Sequence, residues 1–167
     1  MDENFLVLFR HMKEPEKKRL IGGRTTLESS DRPELKQQVA DYFKRHNLPY
    51  EEKFVSLVFA DKNSPRPVGL WAYGEHRAFL NPETIIPDLM VASPCDIQNA
   101  VFNAGRGADF GIIEVAGNIG QRIELLNELV ERSERDSYAE ARLYRPLRES
   151  DVIQWEMRSM SMSDYLS

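Results

Sequence analysis

Residues 107–135 place the tightest limit on how this chain can fold, because a short apolar run, a glycine-bearing turn and a long amphipathic stretch follow one another without a break. Phe110, Ile112, Ile113 and Val115 suit a buried strand. Ala116, Gly117 and Asn118 then supply small turn residues and a helix cap. From there Ile119, Ile123, Leu126 and Val130 recur at helical spacing, Leu125 and Leu129 widen the stripe, and Gln121, Arg122, Glu124, Glu128 and Glu131 fill the rest of the circumference. Such a helix has one side that must be buried. The expected unit is an inner strand at 110–116 followed by a helix at about 118–135 that lies across the sheet.

The remaining elements are read around that unit. Asp31 with Glu34 three residues on, and Pro33 between them, predict a helix at about 33–46, which Asn47 and Pro49 close. Residues 54–60 and 68–73 are rich in branched and aromatic side chains and read as strands, and Gly74-Glu75 has the chemistry of a tight turn into a third strand at 76–80. An antiparallel meander follows from this. Residues 81–93 read as a covered loop or a short helical turn. Ser93, Pro94 and Asp96 mark the start of a helix reaching about Ala104. Three stretches leave helix and strand open: 5–19, where a helix is favoured with Pro15 at a break or a first turn; 138–144; and the tail. In the tail Ile153, Trp155 and Met157 alternate with polar residues as in a strand, yet Ser150 and Asp151 as cap and first-turn acid favour a helix at about 151–159. Residues from about 159 are expected to be loosely held.

The fold class expected is α+β: an antiparallel meander extended by one further strand, with helices packed mainly on one face. At 167 residues one domain is expected, and an apolar share of 41% with 29% charged residues is that of a soluble globular chain. No apolar run approaches the roughly 20 residues that cross a bilayer, and the opening residues lack the pattern of a signal peptide. A single cysteine agrees with a reducing compartment, so a cytoplasmic location is expected. The net charge of −5 disfavours nucleic acid as the partner. The basic stretch Arg10–Arg24 lacks interleaved aromatics and reads as a solvated surface or a docking face for an acidic protein.

Four places could carry chemistry. Cys95, placed near a helix N-terminus, would have a stabilised thiolate, with His76 as base and Glu75 or Glu114 as orienting acid. The turn Gly117, Asn118, Gly120, with Arg106 near by, could offer backbone donors to an anion, although it lacks the third glycine of a dinucleotide fingerprint and the lysine of a phosphate loop. No metal and no other cofactor is expected: His11, His46 and His76 are isolated, and HxxxH, HxH and CxxC spacings do not occur. Finally, Trp71 and Tyr73, with Trp155, Met157 and Met160, are large apolar residues of the kind enriched at the centres of interfaces. These features, without any catalytic motif, point first to a protein that acts by binding another protein, as adaptor, chaperone or inhibitor, and self-association is compatible with it. A small enzyme using Cys95 with His76, or one that holds a phosphorylated ligand at the glycine turn, is the alternative.

Overall fold

A computed structural model describes residues 6–25, 29–63, 68–109, 111–133 and 138–158, and its centre is an antiparallel sheet. The strands are β1 (Leu6–Met12), β2 (Ser29–Ser30), β3 (Lys53–Asp61), β4 (His76–Leu80), β5 (Leu89–Ser93), β6 (Ile113–Glu114), β7 (Ala139–Leu143) and β8 (Val152–Met157). They lie in the order β6-β5-β7-β3-β1-β4-β8, with β2 attached to β3. The helices are α1 (Glu14–Ile21), α2 (Lys36–Arg45), α3 (Pro82–Ile85), α4 (Ile97–Ala104) and α5 (Ile119–Arg132). The architecture is therefore α+β with an antiparallel sheet, as expected. Among the described residues no helix is long and apolar enough to cross a membrane.

The largest departure concerns β1, which takes the middle of the sheet where a helix over 5–19 was favoured. Leu6, Leu8 and Met12 enter one core and Phe9 another, so both faces of the strand are covered. β1 pairs with β3 from Leu6↔Asp61 to Phe9↔Val58 and with β4 from Phe9↔Phe79 to Met12↔His76. Because β1 separates β3 from β4, the expected meander does not form. The second strand expected, 68–73, is a 3-10 helical segment, Val68–Tyr73. Gly74 explains how the chain then re-enters the sheet: a Cβ there would lie 2.1 Å from the Met12 carbonyl carbon, so only glycine permits this approach to the β1 backbone. Pro15 does sit in the first turn of a helix, α1.

Other boundaries move for local reasons. Asp31 is drawn away from capping by a buried arginine, and α2 starts at Lys36 with no side-chain cap bond, while Asn47 closes it at a φ of 53°. Asp96, not Ser93, caps α4, its carboxylate accepting from the Gln98 and Asn99 N–H groups. Residues 89–93 form β5, a strand the sequence reading left as loop or turn. Residues 138–144 resolve into β7, buried along its whole length between β3 and β5. Residues 152–157 form a strand, β8, against the helix favoured there: Asp151 is occupied as acceptor for Arg145, the Arg148 N–H and Thr84, which makes a corner and not a helix start. The loosely held tail expected from 159 lies outside the described residues, as does Phe110.

The strand–turn–helix unit is present in altered form. Asn118 and Gln121 make reciprocal capping bonds and α5 buries Ile123, Leu126 and Leu129, each such side chain contributing about 1.5–3 kcal/mol of burial. The strand before it, however, is only the two residues of β6, and it is an outer strand, paired with β5 alone. The helix lies across the sheet as expected, over a core that includes Val55, Leu57 and Phe59 of β3, and Leu20 of α1 and Ile85 of α3 join the same core. On the other side α2 and α4 close over Val91 of β5 with Val39, Phe43, Ile97 and Val101.

One ion pair holds that second layer to the sheet. Arg142 of β7 and Asp31 are both without side-chain exposure and meet through Nη2–Oδ1 at 2.5 Å and Nη1–Oδ2 at 3.3 Å. The guanidinium carbon is 3.8 Å from the centre of the Phe54 ring and 5.4 Å from that of Phe43. Two charges removed from water are tolerated only because they face each other and two aromatic faces. Asp31→Ala, which strands the arginine, is expected to lower unfolding free energy by about 3–5 kcal/mol in denaturant titration. The double variant Asp31→Leu/Arg142→Met is expected to recover a substantial part of that loss, and failure to do so would show that the pair has a packing role only.

Candidate functional site

The sheet opens where β1 parts from β3. Beyond Phe9↔Val58 the two strands no longer pair, and Arg10 fills part of the gap by donating from Nη1 to the Ser56 carbonyl at 2.6 Å, with Nε on Glu16 at 3.0 Å. A side chain here replaces a rung of the ladder. The result is a cleft of about 540 Å³ walled by α1, β3, the start of β7 and the N-terminus of α4, a size that suits a small molecule.

Its acidic wall is built from Asp96, Tyr138 and Glu140. The Tyr138 hydroxyl donates to Asp96 Oδ2 at 2.9 Å, while Asp96 Oδ1 is engaged in capping α4. Burial and the neighbouring Asp96 push the Tyr138 hydroxyl well above its usual range. Glu140 is buried, and desolvation pushes its carboxyl up to about 8 in spite of Arg142 and the Ile97 N–H, with Asp96 adding to the rise. At neutral pH this side chain keeps its proton. Asp96 beside it is held by the Tyr138 hydroxyl and by the Gln98 and Asn99 N–H groups.

His11, on the β1 side, is a weaker base than an ordinary imidazole. Burial, then Arg77, pushes it down to about 4. Its Nε2 accepts from Arg77 Nε at 3.1 Å and its Nδ1–H faces the Gly74 carbonyl at 3.4 Å, so both ring nitrogens are engaged. Arg77 in turn lies 4.4 Å over the Trp71 ring and bonds Glu156 of β8.

The residues singled out from sequence are dispersed. Cys95 precedes the cap of α4, where its N–H bonds the Ser93 hydroxyl, so it lacks the helix N-terminal position that would favour a thiolate. His76 opens β4, four strand steps from β5, or roughly 19 Å across the sheet. Glu114 is exposed on β6. The structure does not bring Cys95, His76 and Glu114 together. At the glycine turn, Gln121 occupies the space beside Gly117, the Gln121 N–H is taken by Asn118, and Arg122 donates to the Gly117 carbonyl. Gly120 follows inside α5, and Arg106 stacks 5.0 Å over the Phe102 ring. The turn's own side chains take up these groups.

The residues expected at an interface fare differently. Trp71 is half-buried beneath Arg77 and edge-on to His11, whereas Tyr73 is 60% exposed at the cleft mouth. Trp155 is half-buried and Met157 exposed on β8, and Met160 lies outside the described residues. Sequence reasoning missed Glu140 and Asp96 as partners in a cleft, since only the β5–β7 pairing places them side by side. It also missed that Glu14 of α1 meets Glu75 and His76, three ligand-bearing groups within 4.8 Å of one another.

No family model matches this chain, and no curated protein or solved structure shows significant similarity to it. The sheet order and the cleft therefore define it only as an α+β protein with an antiparallel sheet opened between β1 and β3.

The cleft has a pH signature. Because Glu140 titrates near 8 when folded against an ordinary value of 4.5, the folded chain holds a proton that the unfolded chain has lost between those values. Its favourable contribution is complete below about 4.5 and is lost as pH rises through about 8. Unfolding free energy is expected to fall from pH 5 to pH 8, and Glu140→Gln is expected to flatten that decline and to be the more stable form at pH 8. An unchanged slope in the variant would remove Glu140 as its source.

Proposed function

We propose that this chain is a protein-binding component, an adaptor, chaperone or inhibitor without catalysis, that recognises its partner along β8. The observation that carries the reading is the free edge of this strand. Among the described residues β8 has one neighbour, β4. The Arg158 N–H bonds the Glu75 carbonyl, and the register runs Glu156↔Arg77 and Gln154↔Phe79. Backbone groups alternate along an antiparallel ladder, so those of Trp155 and Met157 face away from β4. Two large apolar side chains stand out along this edge as well, Ile153 at 63% exposed and Met157 at 65%. Unpaired backbone donors and acceptors beside an apolar ridge are what strand addition by a partner uses. A cytoplasmic setting fits the lone thiol of Cys95.

The test uses proline at an outward position, which removes a donor from the free edge and leaves the β4 ladder intact. A partner recovered stoichiometrically by wild type is expected to bind Met157→Pro at least about tenfold more weakly, with the melting temperature retained. Amide exchange at Trp155 and Met157 should slow in the complex. A partner that binds Met157→Pro with wild-type affinity overturns the assignment.

A second reading places a small polar ligand, as the substrate of an enzyme, in the cleft. It is favoured by Glu140 holding its proton beside Asp96. A small molecule that raises the melting temperature of wild type and leaves that of Glu140→Gln unmoved would support it.

A further inference from the structure

Glu14 is the first residue of α1, and Glu75 and His76 lead into β4. The approach of Gly74 to the Met12–Lys13 backbone brings these two corners of the chain together, because the turn from β1 into α1 rests against the start of β4. His76 is 5% exposed at its side chain, whereas the carboxylates are 46% and 51% exposed. Its Nε2 contacts Glu14 Oε2 and lies 3.7 Å from Glu75 Oε1. One ring nitrogen carries at most one proton, so it can answer one of these carboxylates and leaves the other facing a like charge. A cation also approaches the ring: the Lys17 Nζ is 3.4 Å from Nδ1 on the opposite edge.

We propose that Glu14, Glu75 and His76 form a binding site for a divalent transition ion, Zn²⁺ or Mn²⁺, which goes beyond the β8 reading and is independent of it. One imidazole and two carboxylates suit these ions better than Mg²⁺, which takes oxygen ligands and keeps much of its water. Three protein ligands leave a coordination position for water or a further group. The ion replaces the proton between the ring and the acids: Nε2 offers its lone pair, each carboxylate offers an oxygen, and the ring's one proton sits on Nδ1. Lys17 then cannot donate to Nδ1 and must leave. In its present position the same Nζ also lies 5.0 Å from the centre of the Trp155 ring. Lys17 is thus a cation that competes with the metal for the same histidine.

That competition separates a metal site from an ordinary ion-paired corner. Calorimetric titration of the full chain near neutral pH with Zn²⁺, Mn²⁺ and Mg²⁺ is expected to give one bound Zn²⁺ or Mn²⁺ per chain and much weaker binding of Mg²⁺. Glu75→Gln and Glu14→Gln, both at half-exposed positions, are expected to weaken binding at least about tenfold each, with melting curves confirming the fold. Lys17→Met is expected to tighten binding, an effect that a merely structural corner would not show. Cys95→Ser should leave the titration unchanged. No bound ion, or ion binding indifferent to Glu14→Gln and Glu75→Gln, overturns the proposal, as does binding that Cys95→Ser abolishes.

Discussion

The pairing of Arg142 with Asp31 is the constraint from which much of the rest follows, because a guanidinium on an inner strand dictates what can lie above it. Asp31 must come down onto β7, and this fixes where the chain enters α2. Phe54 and Phe43 must present their faces to the cation, which settles the N-terminal end of β3 and the inward side of α2. The second layer, with Val39, Phe43, Ile97 and Val101 over Val91, is built against this fixed point. Glu140, two residues away on the same face of β7, shares the enclosure, and its proton is the consequence of a site dry enough that one more charge is not tolerated.

A second consequence follows from putting β1 in the middle. A strand that pairs with β3 over its first half and with β4 over its second must turn away from β3 midway, and no neighbouring strand is at hand to fill the wedge. Arg10 bridges part of it and Glu16 of α1 holds Arg10 in place. The cleft is thus a product of topology, and the polar groups around it come from elements far apart in the chain. The same shift of pairing brings β4 against the turn into α1, which places Glu14 beside Glu75 and His76.

What could be read from sequence was what neighbours in sequence decide. The cap at Asn118, the stripe from Ile123 to Leu129, the closing Asn47 and the branched run of β3 all act within a few residues, and all were legible. β1 was not, because Leu6–Met12 becomes a strand only through partners at 58–61 and 76–79. Residues 68–73 carry the composition of a strand, yet β1 already occupies the place beside β4, and the segment coils instead. In the tail the alternation of Ile153, Trp155 and Met157 was the correct signal. It was outweighed by Asp151, whose buried carboxylate answers Arg145, the Arg148 N–H and Thr84, partners that no local pattern announces. Charged residues were read as solvated throughout, so Arg142, Asp31 and Glu140 could not be found from spacing, and with them went the cleft.

The two ends of the sheet differ in a way that bears on recognition. At one end β6 is two residues long, carries the exposed Glu114, and is followed at once by the cap of α5. Shortness and charge are common means of blunting an edge against unwanted pairing. At the other end β8 runs for six residues, has its single acidic side chain, Glu156, drawn to Arg77 of β4, and leaves Ile153 and Met157 exposed. None of the usual protections is present among the described residues of this strand: it has no proline, and its one register shift lies at Leu80↔Val152, before the exposed stretch. An unprotected edge of this length is a hazard in a chain that works alone. It becomes an asset where a partner strand is to be received, and the protection given to β6 shows that the fold itself imposes no such exposure at both ends.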